Sequence, residues 1–157
     1  MIGDTINQKI AEALKSHDEL LLSTLRMLSS AFNYERIAKQ HDLSEEEEIS
    51  VVRKEAKKRQ DAILALKNAQ GKKLNIQALS IEERLDKEQK ELEILKAYLP
   101  TELPDEEILK FVEEVIKELG VSEMKDMGKV IGKVLQKAGG RAEGSKVAGF
   151  VRSKLQK

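Results

Sequence analysis

The sequence contains no cysteine and no tryptophan. Without cysteine there is no disulfide, no thiolate nucleophile and no sulfur ligand for a metal, and the absence fits a reducing, cytoplasmic setting. Histidine is nearly as scarce. His17 and His41 both fall near expected helix ends, with no acid–base or ligand spacing around them, so no metal and no cofactor are expected. Aromatic residues make up 3% of the chain, too few for base stacking to dominate contact with single-stranded nucleic acid. No apolar run is long enough to cross a bilayer. The start, Met1 to Ile6, lacks a basic segment followed by an apolar one, so neither a leader peptide nor a membrane partner is expected.

What remains is a charged, helix-forming chain. Of 157 residues, 40% are hydrophobic and 36% charged, and only Pro100 and Pro104 interrupt helix formation. The expected fold is all-α and multihelical, with an N-terminal helical subdomain over 1–100 and a C-terminal three-helix subdomain over 103–157. A first helix is predicted over Thr5–Ser16, with Ile6, Ile10, Ala13 and Leu14 inward. A second runs from about Asp18 to Ala38, and Arg26 within its apolar run reads as a structural arginine that pairs with an acid or caps a helix end, or else as an anion contact. Ser44 and Glu47 form a capping box for a helix reaching about Gln70. Its basic middle, Arg53 to Arg59, reads as a solvated face with carboxylate partners rather than as a second nucleic-acid patch, the alternative, because no aromatic residues interleave the charges for base stacking. Gly71 to Leu79 is an expected linker. Ser80 and Glu83 suggest another capping box, for a helix ending near Tyr98 ahead of Pro100. Thr101 to Pro104 is the expected hinge, and Asp105, Glu106 and Glu107 suit the start of a helix that stops at Gly120. Ser122–Lys137 and Ser145–Gln156 supply the last two helices.

The most informative stretch is Asp126 to Gly144. Met127, Val130, Ile131, Val134 and Leu135 recur at helical spacing and form a core stripe. Gly128 and Gly132 are four apart, which predicts close helix packing, because each costs about 1 kcal/mol relative to alanine in a helix. Lys129, Lys133 and Lys137 also step by four and make a cationic ridge. Gly139-Gly140 should end the helix in a left-handed cap, and Ser145 should cap the next. Between Lys125 and Lys157 nine Lys/Arg face only Asp126 and Glu143. A neutral total of 28 basic and 28 acidic residues thus hides a basic C-terminal end.

Catalysis finds little support. Serines are scattered, and carboxylates lie where capping and solvation account for them. Gly139 and Gly144 have phosphate-loop spacing, but Ser145-Lys146 reverses the required order and a helix, not a strand, leads in. Arg141 has two readings: a phosphate fork beside a helix N-terminus, or a partner of Glu143 or of a carbonyl.

The same stretch carries a resemblance. Asp126-Met-Gly-Lys-Val-Ile-Gly132, then Gly140-Arg-Ala-Glu-Gly144, is similar to the GatB/YqeY domain family. Leu25-Arg26-Met27-Leu28, Glu93 to Pro100 and Leu103 to Glu107 extend the likeness over nearly the whole chain. Glu143 stands where many relatives have aspartate, and Gly71–Leu79 is longer than the family leads one to expect. The family includes small free-standing proteins and the tail domain of the B subunit of the Asp-tRNA/Glu-tRNA amidotransferase. The resemblance implies a non-catalytic tRNA-binding accessory module. Matching motif positions are Gly128, Lys129, Gly132, Gly140, Arg141 and Gly144; Lys133, Lys137 and Lys146 are added as nucleic-acid contacts on charge. The alternative is a protein-interaction adaptor docking on an aminoacyl-tRNA synthetase or amidotransferase. A third possibility is the family's label of carbon–nitrogen ligase with glutamine as amido-N-donor, for which this chain offers no residues of its own.

Overall fold

The structure, a computed structural model, describes residues 1–70 and 78–156. Among the described residues there are seven α-helices, one 3-10 turn and no strand. The chain divides into two compact units, Met1–Leu99 and Pro100–Lys157. The linker expected over Gly71–Leu79 lies outside the described residues as far as 77, while Ala78 and Leu79 already belong to a helix.

The first unit holds α1 (Ile2–Lys15), α2 (Glu19–Lys39), α3 (Glu45–Gln70) and α4 (Ala78–Lys96). Its core gathers Ile6, Leu25, Leu28, Phe32, Val51, Val52 and Leu95, all nearly inaccessible to solvent. The predicted α1 stripe holds for Ile6 and Ala13, but Leu14 turns outward at 54% exposure. Asp18 caps α2 by accepting the Leu21 N–H at 3.0 Å. The Ser44–Glu47 capping box forms as expected: the Ser44 N–H donates to Glu47 Oε2 at 2.8 Å and the Glu47 N–H to Ser44 Oγ at 3.3 Å. Ser80, by contrast, lies inside α4 and does not start it.

Sequence reading did not find the buried acids. Glu48 is 5% exposed, and its carboxylate caps α1 from α3, accepting the Ile2 N–H at 2.7 Å and the Gly3 N–H at 3.2 Å. Arg59 of α3 reaches α4, with Nη1 3.5 Å from Glu88 and Nε 3.0 Å from Glu91. Its Nη2 also touches the Met27 sulfur. Arg26 departs from expectation. It is exposed and has no ion-pair partner among the described residues, because it sits on the side of α2 that no other helix covers.

The second unit holds α5 (Asp105–Leu119), a 3-10 turn (Met124–Asp126), α6 (Met127–Ala138) and α7 (Gly144–Leu155). One stripe from each helix fills its core: Ile108, Val112 and Val115, then Val130 and Val134, then Val147 and Val151, each at most 1% exposed. Two boundaries differ from expectation. Helix α6 begins at Met127 after the 3-10 turn, and Ser122 is not helical. Glu143 is the N-cap position of α7, and Ser145 donates its hydroxyl to Glu143 at 2.8 Å. Gly139 and Gly140 have φ of 55° and 76°, the left-handed turn that glycine tolerates best.

Candidate nucleic-acid interface

Helix α6 presents Gly128, Lys129, Gly132, Lys133, Gln136 and Lys137 to solvent, while Val130, Val134 and Ala138 face the core. A 3.6-residue period separates the two faces. The close packing expected at the glycines does not occur. A methyl group added at Gly128 or Gly132 would meet nothing within 4 Å, because both lie on the outward face and no helix of this unit crosses there. The result is a stretch of helix backbone bare of side chains, flanked by lysines.

The expected cradle of five cations is not one cluster. Lys133 Nζ lies 3.2 Å from Glu118. Lys137 Nζ lies 2.8 Å from Glu114 and 3.3 Å from Glu118. Lys146 is drawn to Asp105 at 2.6 Å, and Lys154 to Glu113 at 2.6 Å. Asp105 and Glu118 stand at opposite ends of α5, a separation of about 20 Å at helical rise. Lys146 is thus held away from Lys133 and Lys137. These contacts perturb Glu118, Lys137 and Lys146. The Lys133 and Lys137 ammonium groups hold the Glu118 carboxyl below its ordinary range, and Glu114 raises Lys137. Asp105 raises Lys146.

The basic C-terminal end read from the sequence is therefore largely compensated by α5. Residues 100–157 carry eleven Lys/Arg and ten Asp/Glu. The signal was available. Glu114 and Glu118 step by four on α5, as Lys133 and Lys137 do on α6, and antiparallel neighbours match such ladders.

Lys129 is the exception on α6: exposed and without an ion-pair partner among the described residues. Arg141 follows the carbonyl reading in part. Its Nε donates to the Thr101 carbonyl at 3.1 Å, while its own carbonyl accepts the Leu103 N–H at 2.8 Å. The expected hinge residues are thus stitched to the α6–α7 turn. Arg141 is not paired with Glu143, which takes the Ser145 hydroxyl. Gly144 opens α7 and sits near Leu135, whose Cδ1 would lie 3.9 Å from an added methyl.

A family model described as Yqey-like protein matches residues 3–155, across both units. The chain belongs to the YqeY-like family. No curated protein matches it. Within this YqeY-like chain, the described residues contain no group of three or more His, Cys, Asp or Glu placed to hold a metal. None of its described helices is long and apolar enough to cross a membrane.

Proposed function

We propose that this YqeY-like chain is a non-catalytic accessory module that contacts folded RNA, tRNA foremost, through the outward face of α6. The observation that carries this reading is the pair Gly128 and Gly132. Each weakens the helix, and neither admits a neighbour inside the unit. Internal packing therefore does not account for them; a partner that must come close to the helix backbone does. Lys129 and Lys133 flank the bare surface, and a ribose-phosphate strand suits both features. The Lys133–Glu118 pair is no obstacle, because with side chains 46% and 48% exposed it is the kind of surface pair that exchanges readily.

The test is anisotropy of labelled tRNA against the full chain and a Lys129→Glu, Lys133→Glu variant. The variant should bind more than tenfold more weakly, with unchanged helicity. Its salt slope should fall by roughly the two contacts removed. Equal binding by both proteins defeats the proposal.

The adaptor reading has its own support. Lys133, Lys137, Lys146 and Lys154 already have carboxylate partners, and a bare helix face also suits an approaching protein helix. A complex that forms on this face and barely responds to salt favours that reading.

A further inference from the structure

Two of the α6 lysines share one carboxylate. Glu118 Oε2 lies 3.2 Å from Lys133 Nζ, and Glu118 Oε1 lies 3.3 Å from Lys137 Nζ. Each oxygen of a single anion thus holds one ammonium group. The two cations differ in what else fixes them. Lys137 also donates to Glu114 at 2.8 Å, and its Nζ stands 5.9 Å from the centre of the Phe111 ring. Lys133 has no ion-pair partner other than Glu118 among the described residues. Loss of the Glu118 contact would leave Lys137 in place and Lys133 able to take a new anion.

A phosphodiester can make the same contact. Its two non-bridging oxygens share one negative charge, as the oxygens of a carboxylate do, and both groups accept paired N–H donors from cations. Glu118 is also placed to give way. Its side chain is 48% exposed, and its hydrogen-bond partners among the described residues are the two lysines alone. It stands in the last turn of α5, where the helix dipole disfavours negative charge. Little besides Lys133 and Lys137 keeps the carboxylate where it is.

We infer that Glu118 is an internal competitor for RNA: its carboxylate fills, between Lys133 and Lys137, the seat that one phosphate of the RNA takes on binding. This rests on the RNA reading of α6, and adds to it a defined contact point and a brake on affinity. In the free protein Glu114 and Glu118 balance Lys133 and Lys137, so a polyanion that touches these lysines alone gains little. An RNA that also lies against Gly128 and Gly132 and reaches Lys129 gains enough to displace the carboxylate. Glu118 then turns into water, carrying its charge with it.

Anisotropy of labelled tRNA against the full chain tests the inference, at about 0.15 M salt, where exposed charges more than about 8 Å apart are largely screened. Glu118→Gln keeps the side-chain shape and removes the competing charge, and should tighten binding about fivefold. Glu113→Gln removes the same charge from an α5 carboxylate that faces Lys154 of α7 instead, and should change binding less than about twofold. In a Lys133→Ala background the gain from Glu118→Gln should also fall below about twofold, since Glu114 still holds Lys137. Equal gains from the two Glu→Gln variants, or a gain that persists without Lys133, overturn the inference, because net charge alone then accounts for them. Wild-type binding that Lys129→Glu with Lys133→Glu weakens but Glu118→Gln does not tighten overturns it too, and leaves the RNA reading standing. Absence of tRNA binding by both the wild type and Glu118→Gln removes the two together.

Discussion

A methyl group at Gly132 would enter open space in mid-helix. Gly132→Ala should therefore stabilise the second unit by about 1 kcal/mol, read as a raised urea midpoint. The same substitution should weaken tRNA binding if the bare backbone is a contact surface. Gain of stability with loss of binding is a combination that a packing role does not produce. Gly3 makes the opposite case. A methyl there would lie 2.6 Å from Glu48 Oε1, so Gly3→Ala displaces the carboxylate that caps α1. Glu48→Ala should lower stability by about 1–3 kcal/mol in urea unfolding, because two N–H groups lose their acceptor. At this scale the sequence was legible for motif identity and not for partnership. Gly128 and Gly132 stand out in the sequence, yet whether they face a helix or solvent depends on where α5 and α7 lie. Glu48 gave no local signal at all, since its role is fixed by residues more than forty positions away.

Among the elements, helices with a clear apolar stripe and a chemical stop were readable. Helix α5 ends at Gly120 and α6 at Gly139, both with positive φ, and the Ser44–Glu47 box starts α3 as its spacing requires. Starts are harder to place: Ser80 lies inside α4, Ser122 precedes the helix it is expected to open, and Glu143 rather than Ser145 holds the N-cap position of α7. Pairing between helices was the least visible level. Arg59 read as one more solvated cation of α3, but it joins α3 to α4 through Glu88 and Glu91. Glu91 is only 6% exposed. Arg59→Ala should thus cost about 2–3 kcal/mol by leaving the buried Glu91 with only the exposed Lys87 ammonium, 3.9 Å away, while Arg59→Met with Glu91→Leu should recover most of that loss. A double-mutant cycle by chemical unfolding measures both.

Across the whole molecule, charge is balanced at 28 basic and 28 acidic residues, and acid should unsettle it in a defined window. Lys39, followed by the Ser44 N–H, lowers Glu47 from about 4.5 to about 2. Glu113 and Glu118 are held low by Lys154 and by Lys133 with Lys137. Groups depressed in the folded state contribute stability above their ordinary value and lose it as protons are forced on. Stability should accordingly be level near neutrality, decline from about pH 4.5 and continue to fall towards pH 2. Glu47→Gln should flatten that decline, as followed by urea midpoints at successive pH values. One contact also bears on the order of folding. Arg141 ties the turn after α6 back to Thr101 and Leu103, forty and thirty-eight residues earlier. Bringing such distant points together carries an entropy penalty that only the α5–α6–α7 core can offset. The clasp is therefore a late event, and the glycine-rich turn gains its shape only after the hydrophobic stripes around it have met. Hydrogen-exchange labelling during refolding should find the Leu103 amide protected after those of α5.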